Sequence, residues 1–116
     1  MVVVRYVPDA GDIVWVDYSG TRGHEQAGRR PAVVVSVRSY TKASGLCTVC
    51  PITSQTKGYA NEVSLTKGEI VGTVLSDQHK TIDIDARALR RVGKVSPAVL
   101  ADIRTHIGLI LGIIPA

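Results

Sequence analysis

The chain contains no phenylalanine, one tryptophan, one methionine and two cysteines in 116 residues. Without phenylalanine the core must be built from valine, isoleucine and leucine, and the β-branched members of that set favour strands. The two cysteines form "CTVC", Cys47 to Cys50. A zinc site made of four cysteines needs a second pair, which is missing. Their flanks, "GLCTVCPIT", have the pattern of a strand, where residues three apart point to opposite faces. Both sulfurs are therefore read as small buried hydrophobes, with no metal and no cofactor expected. Long apolar runs are also lacking. The longest, "IGLILGII" from Ile107 to Ile114, falls far short of the ~20 residues that span a bilayer. The opening "MVVVRYVPDAGD" places Arg5 and Asp9 where a secretory leader would be apolar, so a cytoplasmic protein with no membrane partner is expected.

What is present is an ordinary globular balance, 45% hydrophobic and 21% charged, with a net charge of +4. That mild basic excess permits a polyanionic partner without requiring one. No repeat, linker or low-complexity tract divides the chain. The expectation is a single domain over residues 1–116, with a barrel at about 8–95 and a C-terminal helix at about 96–113.

Short alternating segments dominate the first part. Strands are predicted at Gly11 to Tyr18, Arg30 to Arg38, Gly45 to Thr53, Asn61 to Leu65, Glu69 to Asp77 and Lys80 to Asp85. Pro31 lacks an N–H and belongs near a strand's start or on an edge. Strands at this spacing indicate a compact antiparallel barrel or sandwich. The period then changes in "SPAVLADIRTHIGLILGI". Ser96 is a natural N-cap and Pro97 suits the first helical position. Leu100, Ile103, Ile107, Ile110 and Ile114 make one apolar stripe, widened by Val99 and Leu111. The stripe is wide enough to cover the barrel and also to meet a second subunit.

Three polar groups sit at strand ends. The first is His24, Glu25 and Gln26 leading into Arg29 and Arg30. The second is Thr53, Ser54, Gln55 and Lys57. The third is Asp77, Gln78, His79 and Lys80. Strand ends in a small barrel converge on one rim. None of the three is a Walker-type phosphate loop, a helical His pair or a nucleophile elbow. Together they offer a guanidinium, a hydroxyl, carboxylates, an imidazole and amides. That set suits cleavage of RNA without metal, because the ribose 2′-OH is the nucleophile and the protein need only move protons and neutralise the phosphate. "RALRRVGK", Arg87 to Lys94, reads as a solvated basic face.

Four stretches carry a specific likeness: "YVPDAGDIVWVDY", "GHEQAGRRPAVVVS", "CPITSQTKGY" and "GTVLSDQHKTIDIDAR". In this order they cover most of residues 6 to 87, and they resemble the MazF/PemK (Kid) family of toxin ribonucleases from type II toxin–antitoxin systems. The resemblance implies a mainly β, SH3-like antiparallel barrel with a C-terminal α-helix, assembled as a homodimer. It implies metal-independent, sequence-specific cleavage of single-stranded RNA, chiefly mRNA, to 2′,3′-cyclic phosphate and 5′-OH ends. It also implies a cognate antitoxin whose acidic disordered tail covers the RNA groove.

By position, Arg30 and Thr53 match the family's principal catalytic pair. Glu25 matches an acidic loop residue linked to activity in the MazF branch, and His24 and Asp77 match catalytic positions of the Kid branch. The general base stays open among Glu25, His24 and Asp77. RNA contacts are expected from Arg29, Ser54, Gln55, Lys57, Gln78 and Lys80. Two departures stand out: Leu75 replaces an Arg of the Kid branch, and Ile84 stands where many relatives have Trp. The gyrase-poisoning CcdB toxins share the barrel without cutting RNA and are the alternative. They lack a counterpart of "EQAGRRP" and rely on a C-terminal Trp, whereas this chain ends "GIIPA".

Overall fold

The structure is a computed structural model that describes residues 5–17 and 28–115. Its elements in chain order are β1 (Asp12–Asp17), β2 (Arg29–Val34), α1 (Arg38–Ser44), β3 (Leu46–Thr53), β4 (Glu62–Lys67), β5 (Ile70–Leu75), a 3₁₀ turn (Ser76–Gln78), β6 (Lys80–Asp83), β7 (Arg90–Lys94) and α2 (Pro97–Leu111). The strands form one antiparallel sheet in the order β4-β5-β3-β2-β1-β7, with β6 also paired to β3. The eight-residue β3 is the hub. Its first half pairs with β6 and its last two residues, Ile52 and Thr53, with β5. The opposite edge pairs with β2. Switching partners along one strand curls the sheet into a half-barrel. At its far ends β4 approaches β7: a β-carbon on Gly93 would lie 3.6 Å from Lys67 Cγ.

Alternation sorts the apolar side chains onto two faces. Ile13, Val33, Cys50, Ile52, Val63 and Val74 lie in the cluster that Ile103 of α2 completes. Val14, Val16, Ala32, Val34, Cys47 and Val49 lie in the other, with Ile82 and Tyr6. Cys47 and Cys50 thus face opposite ways, as a strand requires, and both are buried free thiols.

The helix starts where the sequence places it. Ser96 Oγ accepts the Val99 N–H at 3.2 Å and Pro97 opens the first turn. It ends at Leu111, because Gly112 turns left-handed (φ 74°) and sends the chain back, so that the Ile113 N–H reaches the Gly108 carbonyl at 2.8 Å. Ile114 is therefore not part of the helical stripe; it folds onto Gly108. Val99, Leu100 and Ile107 pack on the core, while Leu109, Ile110, Leu111 and Ile113 are exposed. No helix among the described residues is long and apolar enough to cross a membrane.

Two elements depart from the sequence reading. The second strand stops at Val34, and Arg38, expected at its end, instead begins α1. The cap of α1 comes from afar: Val37 makes no side-chain cap, and Asp9 Oδ1 accepts the Arg38 N–H at 3.2 Å. The segment read as a solvated basic face contains β7, an edge strand paired with β1. Arg91 and Lys94 on it face the buried carboxylate of Asp12, which also accepts the Tyr6 hydroxyl at 2.6 Å. Burial, followed by that hydrogen bond, raises the Tyr6 pKa far above its usual value.

Candidate active site

The sheet register brings the strand ends together. β2 and β3 are antiparallel, with Ala32 opposite Pro51 and Val33 opposite Cys50. Arg30 comes two residues before Ala32 and Thr53 two residues after Pro51, so both fall just beyond the same end of this ladder. Pro31, with no N–H, lies in this outer stretch and pairs with Trp15 on the β1 side. On the other flank Thr53 pairs with Thr73 of β5, and β5 pairs with β4 so that Glu62 stands opposite Leu75. The chain then enters the 3₁₀ turn that carries Asp77 and Gln78.

The result is an open cleft of about 670 Å3 over the end of β3. Arg30, Thr53, Gln55, Lys57, Asp77, Gln78 and Lys80 all line it, around a base of Pro51, Ile52 and Leu75. Seven of the residues singled out from sequence therefore share one concavity. Arg29 and Ser54 are exposed neighbours that do not line it. His24 and Glu25 lie outside the described residues. Leu75 forms part of the wall, apolar where the Kid branch would offer a guanidinium.

A local hydrogen bond engages the Thr53 side chain. Thr53 Oγ1 accepts the Gln55 N–H at 3.2 Å. The hydroxyl hydrogen takes no part in that bond and is free to donate to another partner. The loop that follows is tied back by Thr56 and the buried Thr73, whose hydroxyl oxygens are 2.6 Å apart. Asp77 lies near the buried Cys50 thiol. Burial foremost, and then the charge of Asp77, push that thiol up to about 12. Among the described residues, no three His, Cys, Asp or Glu side chains are grouped as a metal site would need.

Apart from the apolar base, three cleft residues were not singled out from sequence: Tyr59, Asn61 and Glu62. The Glu62 carboxylate accepts the Lys57 N–H through both oxygens, at 3.2 and 3.1 Å, and the Tyr59 N–H at 2.8 Å. This pins a turn through Gly58, whose φ of 81° suits glycine. The one local signal for it is the carboxylate four residues after a "KG" turn; its role emerges only when β4 is set in register against β5.

Comparisons with known proteins identify the chain's relatives. The family described as PemK-like, MazF-like toxin of type II toxin-antitoxin system matches residues 9–111. The endoribonuclease toxin MazF of Escherichia coli (strain K12) is 46% identical over 111 residues, covering 96% of this chain and all of that protein. The endoribonuclease PemK of Escherichia coli is 31% identical over 108 residues, 89% of this chain and 81% of its own length. Among solved structures, MazF from Deinococcus radiodurans superposes with a TM-score of 0.84 at 41% identity, over 93% of this chain and 99% of that one. A MazE–MazF complex from the same organism superposes at 0.82 and 38% identity, covering 93% and 98%. A match running from residue 9 to residue 111, with relatives aligned over most or all of their length, leaves one conclusion about descent: the chain belongs to the PemK-like, MazF-like toxins of type II toxin–antitoxin systems.

Proposed function

We propose that the chain is the toxin of a type II toxin–antitoxin pair and acts as an endoribonuclease, cutting single-stranded mRNA in the cytoplasm at short sequence words. The observation that carries this reading is the convergence of Arg30 and Thr53, from neighbouring strands, on one cleft with Asp77. The endoribonuclease names of its relatives support it and give no support to the gyrase-poisoning alternative.

RNA brings its own nucleophile. The 2′-OH attacks the adjacent phosphorus and passes its proton to a base. The P–O5′ bond breaks, and the departing O5′ takes up a proton. The products are a 2′,3′-cyclic phosphate and a 5′-OH. Negative charge builds on the non-bridging oxygens as the fifth P–O bond forms, and the Arg30 guanidinium presents a fork of donors to it. Thr53 donates its hydroxyl hydrogen to the same phosphate and so sets its orientation. Asp77 is the base candidate among the described cleft residues; His24 and Glu25 stay the other two candidates on the sequence alone. Glu62 is occupied by two backbone amides and serves the turn instead. Arg29, Ser54, Gln55, Lys57, Gln78 and Lys80 hold the flanking RNA. No metal takes part in these steps.

The same basic lining suits the acidic, disordered tail of a cognate antitoxin, and MazE–MazF complexes of a relative support such a partner. The exposed Leu109, Ile110, Leu111 and Ile113 at the end of α2 supply an apolar face for a second copy of the chain. Incubation with a long RNA in excess EDTA tests the activity. Wild type should yield cyclic-phosphate and 5′-OH ends, and Arg30→Ala and Thr53→Ala should not. Intact RNA together with inhibited gyrase would favour the alternative.

A further inference from the structure

In the polar group Asp77, Gln78, His79 and Lys80, the reaction above leaves only His79 without a role. Its neighbours Gln78 and Lys80 line the cleft, and it does not. The ring is half-buried, and its Nδ1 stands 2.8 Å from the Ser76 carbonyl oxygen. A carbonyl oxygen only accepts, so Nδ1 carries the hydrogen. That nitrogen is engaged with the backbone and takes no proton from RNA.

The bond closes the neck of a very short element. Ser76, Asp77 and Gln78 make the 3₁₀ turn, and His79 is the residue that ends it. Hydrogen bonds inside a 3₁₀ turn are poorer than those of an α-helix, and Leu75 before it gives no side-chain cap. Ser76 is fully buried, yet its hydroxyl has no hydrogen-bond partner among the described residues. Its N–H reaches the Asn61 carbonyl at 3.4 Å, so the contact from His79 is the shorter and stronger of the two. Both limbs of the turn stand on β3: Thr73 of β5 pairs with Thr53, and Lys80 of β6 pairs with Val49. A bond between residues 76 and 79 holds those limbs at one spacing. It thereby sets where Asp77, between them, meets the cleft.

We infer that His79 is a positioning residue for the cleavage: its Nδ1–H bond to the Ser76 carbonyl holds the turn in the shape that brings the Asp77 carboxylate to the attacking 2′-OH. The inference rests on the endoribonuclease reading above, with Asp77 as the base, and deepens it. The imidazole acts through Asp77 and not on the RNA. Proton transfer needs the base within hydrogen-bond reach, so a small shift of the turn slows chemistry. RNA binding is shared among many contacts and should barely change.

The test compares His79→Asn, His79→Gln and His79→Leu. Asparagine keeps an N–H donor at the place of Nδ1, glutamine moves it one bond further out, and leucine removes it. Thermal melts check folding, and the glutamine variant carries the comparison if the leucine one does not melt cooperatively. Rates are single-turnover cleavage at saturating protein. Affinity is measured with a short RNA carrying a 2′-deoxy sugar at the nucleotide whose 2′-OH would attack. His79→Gln and His79→Leu should cleave at least about tenfold more slowly than wild type, with probe affinity within about twofold. His79→Asn should recover most of the rate. In an Asp77→Asn background, itself slow, His79→Gln and His79→Leu should cost nothing further, because the group they misplace is already gone. Wild-type rates in the folded leucine and glutamine variants would overturn the inference. So would an equal loss in the Asp77→Asn background, an asparagine variant as slow as the leucine one, or an Asp77→Asn enzyme as fast as wild type. Each of those results leaves the endoribonuclease reading standing. Absence of any cleavage by wild type would overturn both.

Discussion

Gly72 and Thr53 approach each other across β5 and β3 so closely that a β-carbon on Gly72 would stand inside 3.0 Å of the Thr53 carbonyl oxygen. Backbone is on the receiving side of that contact, so no side-chain rotation relieves it. Glycine at position 72 thus lets β3 carry Thr53 to the cleft. Gly72→Ala should force the two strands apart and shift the Thr53 hydroxyl, at a stability cost of about 1–3 kcal/mol for the overpacking. A displacement near 1 Å at a reacting group commonly costs about 100-fold in rate. Single-turnover cleavage at saturating protein should therefore fall by at least tenfold in a variant that still melts cooperatively. An unchanged rate would mean that Thr53 is placed by something else.

Asp9 supplies the cap that α1 lacks in its own sequence. Its Oδ1 accepts the N–H groups of Ala10 at 2.9 Å and Arg38 at 3.2 Å. Burial pushes the Asp9 carboxyl up. The two N–H bonds and the positive charges of Arg38 and Lys94 outweigh it, so the folded pKa lies below the ordinary value of 3.8. A depressed carboxylate stabilises the fold above the unfolded pKa, and that stabilisation is lost as the pH falls through the folded value. Asp9→Asn should be less stable than wild type at pH 7, and the gap should close below about pH 4. Urea titrations at pH 7 and pH 3 measure both.

The two thiols carry the opposite sign. Burial pushes Cys47 up to about 11, and burial with the charge of Asp77 pushes Cys50 up to about 12. A neutral buried thiol stabilises the fold while the unfolded thiol would ionise near 9. That stability is present below pH 9 and drains away as the pH climbs through 11 and 12. Wild type should lose stability more steeply between pH 8 and pH 10.5 than Cys47→Ala/Cys50→Ala does. At pH 8 a thiol reagent should label neither cysteine in the native protein and both in urea.

How much of this was legible beforehand follows from where each signal lies. The strands around Val14, Val49 and Val63, and the start of α2 at Ser96, are written in local alternation and capping, and they fold as read. Helix α1 was not, because its cap is Asp9, far away in sequence. Strand β7 was not, because an edge strand needs no apolar alternation, and Arg90 and Arg91 hid it in a charged run. The same division holds in the cleft. Arg30, Thr53 and Asp77 stand out as chemistry at strand ends. Tyr59, Asn61 and Glu62 look like ordinary loop residues until the pairing of β4 with β5 carries them to the same place.

The central claim is that Arg30 and Thr53 act on one phosphate in one step. A double-mutant cycle tests it most directly, with single-turnover cleavage of a defined RNA in excess EDTA by wild type, Arg30→Ala, Thr53→Ala and the double variant. Each single change should slow cleavage by about 100-fold or more. Groups that serve one transition state are not additive, so the double variant should be only a few-fold slower than the worse single. A double loss equal to the product of the two single losses, or a single variant as fast as wild type, would contradict it.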